Sequence, residues 1–356
     1  MYYLVGAIII LFLLIFVMIY LYKKTSIITI IDKVKNKYLR IIIRIFLIII
    51  PFLIFGFVNG VVVVLHAAIF FGIFDIINLF VKNKTNLFNA LAVIATVIYL
   101  GIGLYQDFHI YETVYNIDTT KNIGVDNFRI IQLSDSHTGT TFDGNKFKEI
   151  VRNINKNESD MVVITGDAVD DSTTYEDMVL TCEAFGLFTP KYGTYFVFGN
   201  HDKGYYGKNF TGEDLRRELI KNNIRILEDE VIDITDNIVL VGRQDREVTS
   251  RASIKDLTAN IDSSKYIIDL NHQPNDYENE SNAGVDLVLS GHSHGGQIFP
   301  LGPVGKWIGA NDEYTGLHKR KNTTFIVNTG ISGWEIIFKT MTKSEYTVIN
   351  IRSNNE

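Results

Sequence analysis

The first 107 residues hold more unbroken apolar sequence than a soluble fold of this size can bury, and this decides how the chain must be partitioned. A membrane-spanning helix needs roughly 20 mostly apolar residues. Leu4–Leu21 is such a run without a charge. No basic residue precedes it and no small-x-small site follows it, so it reads as a span and not as a cleaved signal. Arg40–Phe80 is too long for one span. Asn59-Gly60 near its middle reads as a tight turn, and Pro51 as a kink that neighbouring helices tolerate. Leu87–Tyr105 closes the series. The expectation is an all-α membrane region over residues 1–110, with four spans at about 4–22, 39–58, 60–81 and 87–106.

Basic residues orient such a bundle, because they are retained on the cytoplasmic side. Lys23, Lys24, Lys33, Lys35, Lys37 and Arg40 lie between the first two spans, and Lys82 and Lys84 between the last two. Four spans then put both termini and the polar remainder of the chain on the extracytoplasmic side. One span plus a re-entrant piece over 40–80 would put that remainder in the cytoplasm. Arg44, His66 and Asp75 are the ionisable residues inside the spans. Transport pathways are marked by such groups, and three are few, so the region is expected to anchor the protein in the lipid bilayer.

From Tyr111 onward the sequence is mixed and rich in Asp and Asn. Residues 111–125 read as a linker and 126–352 as one catalytic domain. The net charge of −6 argues against a general nucleic-acid binder, which needs a basic face. The single cysteine, Cys182, excludes an intrachain disulfide and a Cys-rich zinc site, and reads as a core residue. Short β-like runs alternate with helix-like stretches at Asn145–Asn155, Tyr175–Leu187 and Glu213–Lys221.

The runs share one regularity: each ends in a metal-capable side chain. Phe128–Leu133 leads to Asp135-Ser136-His137, and Met161–Ile164 to Gly166-Asp167-Ala168-Val169-Asp170. Thr194–Phe198 leads to Gly199-Asn200-His201-Asp202, Tyr266–Leu270 to Asn271-His272, and Val285–Leu289 to Gly291-His292-Ser293-His294. Ligands of α/β folds bind at the carboxyl ends of strands. Two metal ions about 3.5–4 Å apart can clamp the attacking and leaving oxygens of a phosphoryl transfer. A carboxylate best shares two ions, and Asp167 is the candidate. Asp135 and His137, two apart on an extended segment, can face one ion. Imidazole donors suit Mn, Fe or Zn better than Mg or Ca. Two divalent ions, two carboxylates and a bridging hydroxide leave about one positive charge, which favours an anionic phosphate.

Asp135-x-His137, Gly166-Asp167-x-x-Asp170, Gly199-Asn200-His201-Asp202, His272 and Gly291-His292-x-His294 resemble the motifs of the calcineurin-like metallophosphoesterases. The extension Gly295-Gly296-Gln297 is similar to that of a membrane-associated bacterial phosphodiesterase subgroup. The resemblance implies a four-layered α/β/β/α sandwich. It implies one divalent ion held by Asp135, His137, Asp167 and His294, and a second by Asp167, Asn200, His272 and His292. It implies that His201 protonates the leaving oxygen or steadies the transition state. Asp170 and Asp202 are candidates for orienting ligand histidines. Arg243, Asp245 and Arg246 are candidates for contacting substrate phosphate, and Phe299–Ile308 for a loop over the site or against lipid. The family's arginine near Asn328–Trp334 has no counterpart there. The function implied is hydrolysis of phosphodiesters or phosphomonoesters by a metal-bridging hydroxide, on an envelope or lipid-linked substrate. A nucleotide or pyrophosphate-linked lipid, and a non-catalytic domain binding metal or a partner, are the alternatives.

Overall fold

The computed structural model describes residues 2–25, 31, 33–81, 87–203 and 210–353; Lys82 and Lys84 lie outside them. The chain divides into two compact units, Met1–Gly103 and Leu104–Glu356. The first is built from α1 (Tyr2–Lys24), α2 (Lys37–Leu79) and α3 (Leu87–Phe108), whose last turn belongs to the second unit. Among the described residues, α2 and α3 are the helices long and apolar enough to cross a membrane. Only 6% of the most apolar window of α2 is buried, whereas a core helix of a soluble protein hides its apolar surface.

The helical path of α2 is interrupted inside its 43 residues, at Gly56, where φ is 77° and ψ is −179°. Only glycine enters that region without a steric penalty. Beyond it the chain comes back on itself. A Cβ on Gly60 would lie 2.8 Å from Phe52 Cα, although residues eight apart in a continuous helix are separated by about 12 Å. Ile48 and Val64, equidistant from Gly56, meet in one apolar cluster with Val17 and Leu21 of α1. The reversal expected at Asn59-Gly60 is therefore centred on Gly56. Gly60 serves the close approach of the two arms, and the backbone stays helical through Pro51. Lys24 at the end of α1 pairs with Asp75 near the end of α2 and reaches Asn89 Oδ1 near the start of α3 at 3.4 Å. Tyr20 Oη donates to the same aspartate at 2.6 Å.

The second unit starts earlier than residue 126. Most of the expected linker over 111–125 is strand β1 (Ile110–Thr119), parallel to the final strand β12 (Ser344–Ser353). The first sheet continues through β2 (Asn127–Leu133), β3 (Met161–Ile164), β4 (Thr194–Phe196) and β5 (Ile224–Ile226), in the order β1-β12-β2-β3-β4-β5. The second contains β6 (Glu230–Asp233), β7 (Ile238–Gly242), β8 (Tyr266–Leu270), β9 (Leu287–Ser290), β10 (Gly316–Arg320) and β11 (Thr323–Val327), in the order β10-β11-β9-β8-β7-β6. Within them β2 to β5 are mutually parallel, as are β7, β8, β9 and β11.

Side chains alternate across a strand, and both faces of these strands are apolar. Phe128, Ile130, Met161 and Val163 point into a core shared with Leu240, Ile268, Leu270 and Leu289 of the second sheet. Ile131, Leu133, Val162 and Ile164 point the other way. They pack on α4 (Gly144–Ile154), α5 (Tyr175–Phe185) and α6 (Gly212–Lys221) through Phe147, Phe185 and Leu219. Cys182 is buried in that outer layer. On the far side, Val241, Ile267 and Val288 pack beneath α7 (Ile254–Thr258) and α8 (Tyr277–Asn282). The order is helices, sheet, sheet, helices, with the carboxyl ends of both parallel sets opening on one edge.

Candidate metal centre

Five loops leave β2, β3, β4, β8 and β9 at that edge and carry the candidate ligands. Their backbones are not extended. Asp135 (φ 51°), His137 (φ 35°), Asp167 (φ 54°), His292 (φ 68°) and His294 (φ 48°) all occupy the left-handed region, which non-glycine residues rarely adopt. Such strain persists only where surrounding contacts over-determine it, and it clusters at functional sites. Asp135 and His137 thus face one another through a tight turn, not through the strand alternation expected for them. Gly166 (φ 86°) is needed twice over, because a Cβ there would also come 2.6 Å from His272 Nδ1.

The donor atoms form two groups. In one, His137 Nε2 lies 3.2 Å from His294 Nε2 and 3.9 Å from Asp135 Oδ1, and His294 Nε2 lies 3.5 Å from the same oxygen. In the other, Asn200 Oδ1 is 3.2 Å from His272 Nε2 and 3.0 Å from His292 Nδ1. Asp167 Oδ2 stands between them, 3.1 Å from His272 Nε2 and 3.8 Å from His137 Nε2. Asp135, His137, Asp167, His272 and His294 are all buried.

The chemistry of this donor set fits divalent metal. His294 Nδ1 faces Ser332 O at 3.1 Å and His272 Nδ1 faces Thr165 O at 2.7 Å. A carbonyl only accepts, so Nδ1 carries the proton and neutral Nε2 presents a lone pair. That lone pair meets Asp167 and Asn200 oxygens in one group and a second imidazole in the other. Acceptors crowded this closely repel unless a cation or a proton sits among them. Donors around an ion at about 2.0–2.2 Å are spaced by roughly 3.0–3.6 Å, close to the separations above.

In the metal-free protein protons take that role. Burial opposes charge on His272, but the charge and hydrogen bond of Asp167 outweigh it and hold its pKa well above the ordinary value. His137 is raised too: burial is overcome by Asp170, Asp167 and Asp135. Burial raises Asp167, yet the nearby histidines pull it far below the usual carboxylate range. Burial and the charge of His272 push His292 down to about 4, and burial with the charge of His137 depresses His294.

Three carboxylates support the centre differently. Asp170 Oδ2 lies 3.2 Å from His137 Nδ1 and accepts from Thr140 Oγ1 at 3.0 Å. Burial raises its pKa, but His137 and Ser172 bring it down to about 2. It orients His137. Asp202, expected to orient a histidine as well, instead accepts the backbone N–H groups of Asp167, Ala168 and Gly199, each at 2.8 Å. It ties the loop after β3 to the loop after β4. Burial and the charge of Asp167 raise its pKa to about 7, against the pull of those N–H groups. Asp245 accepts from Gln273 Nε2 at 3.0 Å, next to His272.

The cleft over the centre has a volume of about 390 Å³, and Asp167, Asn200, His201, His292 and His294 open into it. The His201 ring packs 5.0 Å from the Trp334 ring, and its backbone N–H donates to Asp167 Oδ1 at 2.9 Å. Arg243, Asp245 and Arg246 do not line this cleft. Arg243 is buried against Asp276 (2.8 Å) and Glu280 (3.2 Å), and Arg246 is exposed. An arginine after an apolar run is as well suited to a buried acidic cluster as to phosphate, and this one balances Asp269 and Glu280.

Two contributors were not legible in the sequence. Trp334 is the first: no motif marks it, yet its ring packs against His201. Lys339 is fully buried and donates to Thr329 O (2.9 Å) and Gly330 O (3.1 Å). Burial lowers its pKa to about 8, with Asp107 and Asp135 opposing. It supplies a cation at the end where the family arginine is absent, aimed at backbone and not at substrate. No spacing rule points to a lone lysine in a polar loop.

A family model described as calcineurin-like phosphoesterase matches residues 128–296. The Bacillus subtilis (strain 168) protein named uncharacterized metallophosphoesterase YkuE is 28% identical over 269 residues, spanning 72% of this chain and 90% of that protein. An Aquifex aeolicus (strain VF5) protein named uncharacterized metallophosphoesterase is 32% identical over 193 residues, 53% of this chain and 71% of that protein. The Bos taurus transmembrane protein with metallophosphoesterase domain is 28% identical over 298 residues, 76% of this chain and 64% of that protein. The chain described here belongs to the calcineurin-like phosphoesterase family.

Proposed function

We propose that this protein is a membrane-anchored hydrolase that cleaves phosphodiesters or phosphomonoesters at a two-metal centre. One observation carries the reading: Asp167 Oδ2 stands between two separate donor groups, 3.1 Å from His272 Nε2 and 3.8 Å from His137 Nε2. Asp135, His137 and His294 would hold one divalent ion, Asn200, His272 and His292 the other, and Asp167 both. When bound, two such ions lower the pKa of a shared water and neutralise charge developing on the phosphoryl oxygens. His201 opens into the cleft beside this centre without belonging to either donor group, which suits it to protonate the leaving oxygen. Trp334 limits the tilt of that ring and covers one side of it.

The membrane part supports anchoring through four traversals. The reversal at Gly56 turns α2 into two arms, and Lys24, Asp75 and Asn89 gather the intervening ends on one side. That is the side of the basic segments, hence cytoplasmic. The catalytic unit, which follows α3, then lies extracytoplasmically. The Bos taurus relative carries "transmembrane protein" in its name, which agrees with a membrane-bound architecture.

His201→Ala tests the chemistry. Loss of a positioned proton donor lowers kcat by about 10²–10⁴, while elemental analysis returns the metal content of the unsubstituted protein. Unchanged turnover would remove His201 from the mechanism, and loss of metal would make it a ligand.

A further inference from the structure

Beside the cleft lies a ledge with an exposed apolar surface. It is formed by α9 (Leu301–Trp307) and the residues flanking it. Phe299, Leu301, Val304, Trp307 and Ile308 are all exposed, Trp307 at 86% and Ile308 at 66%. A contiguous exposed apolar patch marks a binding surface more often than an accident of folding. This one is not a loosely placed strap. A Cβ on Gly302 would lie 2.7 Å from the Tyr314 ring, and Ser293 Oγ donates to Tyr314 O at 2.7 Å, so α9 is seated against the loop that carries His292 and His294.

The ledge runs into the cleft through Leu301. Leu301 is both exposed and part of the cleft wall, and Ile298, Trp334 and Ile336 continue the apolar lining down to the donor atoms. The wall also lacks something. Among the described residues lining the cleft there is no lysine or arginine. Lys306, on α9 itself, is paired with Glu313 at 2.6 Å. A nucleotide or other polyphosphate carries several charges and wants cationic side chains beyond the reacting group. A diester of one charge, with an apolar substituent, wants what this cleft offers: an ion centre at the bottom and hydrocarbon at the rim.

We propose that the substrates are amphiphilic phosphodiesters whose alkyl or acyl chains lie along the Leu301–Ile308 ledge, and that this ledge sets specificity. The proposal rests on the hydrolase reading above and narrows its substrate. The lipid's own chain is the occupant. It loses water contact against Leu301, Val304, Trp307 and Ile308 while its phosphate sits at the centre, and each methylene so buried is worth roughly fourfold in affinity.

The test uses the full chain in detergent, loaded with Mn, and two probes sharing one leaving group: p-nitrophenyl methyl phosphate and p-nitrophenyl octyl phosphate. The octyl ester is expected to exceed the methyl ester in kcat/KM by about 10²-fold, the effect of three to four buried methylenes. In Trp307→Ser/Ile308→Ser that ratio is expected to fall at least tenfold, through KM for the octyl ester. Both residues are exposed, so the fold tolerates the change. Partition of the octyl ester into micelles acts equally on both proteins, so it leaves the comparison between them intact. An octyl preference that survives the double substitution, or no preference in the unsubstituted protein despite turnover of both esters, overturns the ledge and leaves the hydrolase reading standing. Turnover of neither ester overturns both.

Discussion

At the scale of single residues, the centre is a set of groups that oppose one another until a cation arrives. His272 and His137 hold protons above the ordinary histidine range because Asp167 and Asp170 outweigh the cost of burial. The sign of the consequence is definite. A histidine raised in the folded state contributes stability that is complete below its unfolded pKa, about 6.5, and lost as pH climbs through the folded value. Coordination needs the neutral ring, so rising pH favours metal instead. The chelator-stripped protein is therefore expected to lose stability from about pH 6.5 upward through these two histidines. The Mn- or Zn-loaded protein is not, and the gap between their unfolding midpoints widens as pH is raised. A gap that stays flat from pH 6.5 to 9 counts against His272 and His137 as ligands.

At the scale of elements, what matters is how each loop is forced to turn. The five ligand loops leave parallel strands, those after β2, β3 and β9 enter left-handed backbone, and Asp202 ties two of the five together through backbone N–H groups. In the membrane unit the reversal depends on two glycines with different duties: Gly56 supplies the backbone conformation and Gly60 the room. Gly60→Leu would drive a side chain into Phe52. Overpacking of this kind costs about 1–3 kcal/mol, read as a lowered unfolding midpoint of the full chain in detergent. Gly72→Leu is the control, because nothing lies within 4 Å of a Cβ there. Equal effects of the two substitutions would argue against a packed hairpin.

At the scale of the whole molecule, a hydrolase unit follows directly on apolar helices, and chain path decides which side of the membrane it works on. The native Cys182 is buried, so introduced cysteines report alone. With four traversals, an impermeant maleimide labels Asp118→Cys on intact cells and Lys35→Cys only after permeabilisation; labelling of both from one side excludes this topology. Much of the site is legible in the sequence itself. Apolar run lengths, strand-end histidines and the glycines beside them are local signals, because hydrophobic periodicity and turn chemistry act over a few residues. They marked the apolar stretches and the five strands, β2, β3, β4, β8 and β9, whose ends carry the candidate ligands. They placed β1 in a linker, because a half-exposed strand such as Ile110–Thr119 takes its pairing from Ser344–Ser353, more than 200 residues on. They sent Arg243 to the substrate and Asp202 to a histidine, because the partner of a charged side chain is chosen by which elements pack beside it. They left Lys339 unread for the same reason. Local pattern names the residue types that a chemistry needs; only three-dimensional packing, by deciding what each buried charge must lie against, assigns them their work.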